Sequence, residues 1–179
     1  RYISVTGVQT CALPISDEEI GVMVKQLRVI PDERGRLMEC LRSDDDLFVR
    51  FGQLYMTTTY PGVVKGWHLH DAQWDNIVCV KGMLKLALFD GRGAAGDAAS
   101  PGHEPSATAG QVDEFFLGEH RPLLVRVPPG VWHGWKCVGS EEAYVVNAPT
   151  EVYKYDDPDQ RELPHDTHAI PYDWGVKLR

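Results

Sequence analysis

Residues 62 to 82 read Gly62-Val-Val-Lys-Gly-Trp-His68-Leu-His70-Asp-Ala-Gln-Trp-Asp75-Asn-Ile-Val-Cys-Val-Lys-Gly82. On a β-strand, residues two apart share a face, so His68 and His70 point the same way while Leu69 points to the other side. Gly82 then closes a strand pair with a turn. A lone His-x-His is commonly a surface feature. Here a third histidine stands in Pro128-Pro-Gly130-Val-Trp-His133, directly after the alternating run Leu123-Leu-Val-Arg-Val127. Three histidines and two glycine punctuations in strand-like surroundings agree, and they favour a functional polar cluster over isolated surface residues.

The rest of the chain agrees. Gly21 to Ile30 is β-prone, Pro31-Asp-Glu-Arg-Gly35 is rich in turn formers, and Phe51 to Tyr60 is rich in aromatic and β-branched residues. Further strands are expected over about 64–70, 76–81, 83–89, 112–117, 123–127, 131–138 and 142–148, a density that fits a sandwich or barrel rather than alternating βαβ units. The alanine- and glycine-rich segment 90–110 reads as an exposed, mobile loop. From Tyr153 onward the chain is polar, aromatic and punctuated by proline, which predicts a packed irregular arm with room for one short helix.

At 179 residues the chain fits one domain with a real core. Its net charge of −8 argues against a nucleic-acid surface, and no run is apolar for long enough to span a bilayer. Cys11, Cys40, Cys79 and Cys137 contain no Cys-x-x-Cys pair, which points to a reduced, cytoplasmic setting. Residues 1–16, RYISVTGVQTCALPIS, look like a translated sequencing-adapter remnant, and the domain is taken as 17–179.

The spacing G-x5-H-x-H-x4-[ED]-x6-G over residues 62–82, followed by P-x-G-x-x-H over 128–133, resembles the two signatures of the cupin superfamily. That implies an all-β jelly-roll barrel or sandwich with a short irregular or helical C-terminal arm. Four segments in order resemble, more narrowly, the dTDP-4-dehydrorhamnose 3,5-epimerase family. Asp32-Glu-Arg-Gly35 with Glu39 is similar to its D-x-R-G-x-x-x-E, and Lys65-Gly-Trp-His68 to its R-G-L-H. Pro129-Gly-Val-Trp-His-Gly134 is similar to its P-x-G-x-x-H-G, and Ile170-Pro-Tyr-Asp-Trp174 to its I-x-W ending.

The resemblance implies a homodimeric isomerase that needs no cofactor and acts on a small-molecule nucleotide-sugar. His68 becomes the general base and Asp166 its acidic partner, with His133 beside the reacting carbons. Arg34, Glu39, Lys65 and His70 become substrate-binding residues, Arg34 and Glu39 from a neighbouring subunit. Two positions depart from the family pattern. Its enolate-facing lysine falls at Asp75 or Asn76, and its catalytic tyrosine near Val146 or Asn147. Tyr144, two residues from Val146, is the candidate for the second acid, with Tyr153 and Tyr155 behind it.

Proton abstraction beside a ketone needs a base near neutrality and a donor or cation facing the developing oxyanion. With the lysine absent, Lys65, His70 or a metal would serve the oxyanion. A second reading follows, in which His68, His70, Asp75 and His133 hold one divalent transition metal. A third is a sugar-binding module without chemistry, its rim formed by Trp67, Trp74, Trp132 and Trp135.

Overall fold

The computed structural model describes residues 21–177; the segment read as foreign, 1–16 with Cys11, lies outside them. Among the described residues twelve strands occur in chain order: β1 (Met23–Gln26), β2 (Val29–Asp32), β3 (Gly35–Met38), β4 (Tyr55–Thr59), β5 (Val64–Leu69), β6 (Asp75–Lys81), β7 (Met83–Asp90), β8 (Val112–Gly118), β9 (Leu123–Val127), β10 (Val131–Cys137), β11 (Ala143–Asn147) and β12 (Arg161–Glu162). Two five-stranded sheets carry ten of them, ordered β1-β9-β6-β11-β4 and β12-β5-β10-β7-β8. Strands β2 and β3 form a separate hairpin. Every strand pairing is antiparallel, as the jelly-roll expectation requires.

Alternation builds the core between the sheets. Leu84, Leu86 and Leu88 of β7 meet Val125 and Val127 of β9 and Val145 of β11 in one buried cluster. The opposite face of β7 is buried too, because the C-terminal arm lays Ile170 and Trp174 over Ala87, Phe89, Trp67 and Trp132. That arm contains β12 and otherwise irregular chain, with no helix among its described residues. On the outside of the other sheet, Leu27 and Leu47 cover Val78 and Leu124. Strands buried on both faces explain the near-continuous apolar runs in the sequence.

The segment after β7 is exposed over much of its length, as expected, but it is anchored at a few points. Rather than standing free, it folds onto the barrel: Ala98, Ser100 and Thr108 are buried, Trp132 Nε1 donates to the Ala98 carbonyl at 2.9 Å, and Ser100 Oγ donates to that of Gly130 at 2.8 Å. Small side chains there permit close packing, where composition alone suggested mobility. No helix among the described residues is long and apolar enough to cross a membrane. Cys40, Cys79 and Cys137 are free thiols.

One irregularity sets the functional geometry. The pairing of β10 with β5 runs His133↔His68 and then Gly134↔Gly66, so the register shifts by one residue at Trp67. Gly66 and Gly134 touch there, and a Cβ on Gly66, whose φ is +148°, would lie 2.6 Å from Gly134 Cα. Glycine at both positions lets the strands close up and holds His68 opposite His133.

Candidate active site

The three histidines converge between the sheets. A cavity of about 160 Å³ is lined from one sheet by Lys65 and His68 of β5, His70 just beyond it, and His133 and Trp135 of β10. The other sheet contributes Tyr55 and Thr57 of β4 and Asn147 of β11, and Gln160 completes the lining. A second hollow of about 310 Å³ shares Tyr55, His70 and Gln160 and adds Gln53, Gln73, Tyr153 and Tyr155. A larger cavity of about 550 Å³ lies elsewhere, beneath the C-terminal arm, between Lys85, Lys136 and Trp174. It contains none of the histidines, and chemistry rather than size identifies the site.

Asp75, at the start of β6, is buried behind the histidines. Its Oδ1 accepts hydrogen bonds from Gln73 Nε2 at 2.9 Å and Asn147 Nδ2 at 2.7 Å. Its Oδ2 lies 3.1 Å from His133 Nε2 and 3.4 Å from His70 Nε2. The far nitrogens of both rings face backbone carbonyls, His70 Nδ1 that of Asp159 and His133 Nδ1 that of Val131 at 3.3 Å. A carbonyl can only accept, so each Nδ1 carries a proton and each Nε2 turns toward the carboxylate. Three acceptor positions then meet at one point, and a cation is required among them: a proton on an imidazole, or a metal ion. Asp159 is itself pinned, its carboxylate accepting from the backbone N–H groups of Asp71, Ala72 and Gln73 at 2.7 to 2.9 Å.

The charges follow the geometry. Burial alone would raise the Asp75 carboxyl, yet the hydrogen bonds from His133 and His70 overcome it and hold the group well below the usual carboxylate range. For His70, burial disfavours the charged form, but the hydrogen bond and charge of Asp75 outweigh it and the pKa rises. His68 behaves oppositely. Burial first, and the charge of His133 second, push it down to about 4, against the pull of Glu162. His68 is therefore a neutral imidazole at physiological pH, able to accept a proton.

The sequence placed His68, His70, His133 and Lys65 in one site, and all four line one cavity. Lys65 Nζ donates to Thr57 Oγ1 at 2.8 Å. Other expectations are not met. Asp166 is exposed in a turn and makes no ion pair with His68; the carboxylate near His68 Nε2 is Glu162, at 3.8 Å. The reason is β12, which pairs with β5 in the register Glu162↔His68. Tyr144 points away from the cavity: Ala143, Val145 and Asn147 are the buried positions of β11, and the Tyr144 ring lies under Lys81 Nζ.

Arg34 is exposed and paired with Asp32 near the hairpin turn, and Glu39 pairs with Arg42, so neither lines the cavity of its own chain. The four-residue metal set contracts to three. Ligand atoms of His70, Asp75 and His133 lie within 4.8 Å of one another, and His68 falls outside that group. Trp67 and Trp132 are core residues rather than a sugar-binding rim, and Trp135 is buried with its Nε1 donating to Thr59 Oγ1. Sequence reasoning missed Tyr55, Asn147, Asp159, Gln160 and Glu162. Only Asn147 left a signal, a polar residue at an inward position of an apolar strand.

The chain as a whole is similar to several known proteins. Residues 30–92 match the polysaccharide biosynthesis C-terminal domain. A probable low-salt glycan biosynthesis epimerase of Haloferax volcanii is 40% identical over 159 residues, covering 88% of this chain and 95% of that protein. A spore coat polysaccharide biosynthesis protein of Bacillus subtilis is 33% identical over 159 residues, covering 89% and 98%. Among solved structures, a dTDP sugar isomerase of Desulfovibrio desulfuricans superposes with a TM-score of 0.77 at 30% identity, covering 88% of this chain and 94% of that one.

Proposed function

The chain belongs to the dTDP-4-dehydrorhamnose 3,5-epimerase family of cupins, and on that premise we propose that His68 abstracts the proton alpha to the 4-keto group of a dTDP-4-keto-6-deoxyhexose during glycan synthesis. The carrying observation is that the His68 imidazole and the cation-demanding corner of His70, Asp75 and His133 meet in one cavity. The first takes a proton and the second answers the negative charge that forms on the keto oxygen. The family's lysine is absent from that corner, and the two imidazoles held by Asp75 take over its charge.

Glu162 orients His68 and favours its imidazolium once formed. Lys65 supplies a point charge for the diphosphate. The β2–β3 hairpin pairs with neither sheet of its own chain and exposes Ile30 and Leu37, which supports the reading that Arg34 and Glu39 act on a neighbouring subunit of a homodimer. Free buried cysteines support a cytoplasmic setting.

Incubation with a dTDP-4-keto-6-deoxyhexose in deuterated water tests the reading. Deuterium should enter the carbon beside the ketone with the parent protein and not with His68→Ala. Equal behaviour of the two, or bound nucleotide-sugar without exchange, would remove it and leave a binding module.

A second reading rests on the convergence of lone pairs. His70, Asp75 and His133 suit one divalent transition metal, because each imidazole is oriented by a backbone carbonyl as ligating histidines usually are. Such an ion would supply Lewis acidity toward the keto oxygen. His68 keeps the same role in both readings.

A further inference from the structure

Inversion at a carbon beside a ketone requires a proton taken from one face of the sugar and another delivered to the opposite face. With His68 as the base, as proposed above, the first face is the one toward β5. His68 stands on β5, so the delivering group has to reach the cavity from the facing sheet, where β4 and β11 present Tyr55, Thr57 and Asn147. Thr57 is no acid near neutrality, and its oxygen already accepts from Lys65. An amide such as Asn147 does not give up a proton to carbon. Tyr55 remains.

We propose that Tyr55 is the catalytic acid that returns the proton, standing in from a neighbouring strand for the tyrosine the family pattern places near Val146 or Asn147. The hydrogen bonds around Asn147 carry this assignment. Asn147 pairs with Tyr55 across β11 and β4. One Nδ2 proton goes to Tyr55 Oη at 3.0 Å and the other to Asp75 Oδ1 at 2.7 Å, while Asn147 Oδ1 accepts from the Asn76 N–H at 2.9 Å. The amide is fully committed, and its orientation follows from its partners. Tyr55 Oη is thus an acceptor toward Asn147, and its own proton has no partner among the described residues. That O–H faces the cavity that His68 enters from the other side.

The step balances. His68 takes the proton from the carbon, and the C–H electron pair becomes the enolate. The enolate carbon then takes the proton of Tyr55, its C–H bond forming as the O–H bond breaks and the carbonyl re-forms. The electron pair left on the phenolate is held by the Asn147 N–H. Solvent reaching Tyr55 through the adjoining hollow that it also lines reprotonates the phenolate, and the proton on His68 returns to solvent, so no net proton is consumed.

Tyr144 cannot compete, since it faces outward against Lys81. Tyr153 and Tyr155 pack edge to face at 5.1 Å in the outer hollow, with Tyr155 almost fully exposed.

Tyr55→Phe separates exchange from inversion. In deuterated water with a dTDP-4-keto-6-deoxyhexose, the variant should still wash deuterium into the recovered starting epimer, within about threefold of the parent. The inverted product should fall by about a hundredfold or more. Inversion persisting within about tenfold would mean another acid and would overturn the assignment, as would exchange and inversion falling together, the mark of a packing or binding role. Thermal melting of the variant should match the parent, because phenylalanine preserves the ring. Absence of exchange in the parent itself would remove the base reading, and this assignment with it.

Discussion

His68 and Glu162 are register partners across β5 and β12, with His68 Nε2 3.8 Å from Glu162 Oε1. A strand of two residues, contributed by the C-terminal arm, brings the carboxylate to the imidazole. Glu162→Gln should therefore slow deuterium exchange about tenfold, the modest size expected of a partner open to solvent. Asp166→Asn and Tyr144→Phe should leave exchange at the parental rate. Mass spectrometry of recovered sugar-nucleotide reads all three.

Asp75 is the hub of a buried network. Replacing it with alanine strands the amides of Gln73 and Asn147 and leaves His70 and His133 facing a void, so Asp75→Ala should lower the melting temperature and cut exchange by about a hundredfold or more. Elemental analysis of parent protein prepared without chelator distinguishes the cations. About one equivalent of a divalent transition metal per chain, absent from Asp75→Ala, is the expectation of the metal reading; its absence from both, with activity intact in chelator, is that of the proton reading.

Gly66 should tolerate nothing larger. A Cβ there meets the backbone of Gly134 at 2.6 Å, at a φ that other residues rarely adopt, so Gly66→Ala should cost about 2 to 4 kcal/mol in urea unfolding. It should also impair exchange, since the same contact sets His68 against His133. Gly139→Ala is the control: its nearest neighbour would be 3.6 Å away, and the expected change is below about 1 kcal/mol.

The depressed pKa of His68 makes a signed prediction. Its folded value of about 4 lies below the ordinary 6.5, so above pH 6.5 neither state holds the proton and the full stability is present. Between those values the unfolded chain takes up a proton that the folded chain refuses, and stability falls as pH falls, by up to about 3 kcal/mol. His68→Gln lacks this contribution. Melting temperatures at pH 7 and pH 4.5 should differ less for the variant than for the parent. The raised His70 contributes in the other sense, with stability lost as pH rises through its folded pKa, and it is common to both proteins.

Much of the barrel was legible because alternation is a local property. Leu84, Leu86 and Leu88, or Val125 and Val127, declare an inward face without knowledge of their neighbours. The segment 90–110 was legible only in part for a related reason: it is an exposed loop over much of its length, but small residues signal neither burial nor exposure, and only the fit of Ala98 and Ser100 against Trp132 and Gly130 shows where it packs. The four-ligand metal set was close, but spacing could not reveal that His68 stands apart from the His70, Asp75 and His133 group.

Sequence alone determined the jelly roll, the meeting of His68, His70 and His133, and the family, since strand periodicity and short motifs are written in consecutive residues. Tertiary structure alone decided that Glu162 rather than Asp166 reaches His68, that Tyr144 turns outward, and that Tyr55 meets Asn147. Those partnerships depend on register between strands distant in the chain. A shift of one residue reverses every side chain, and nothing local records which register is taken.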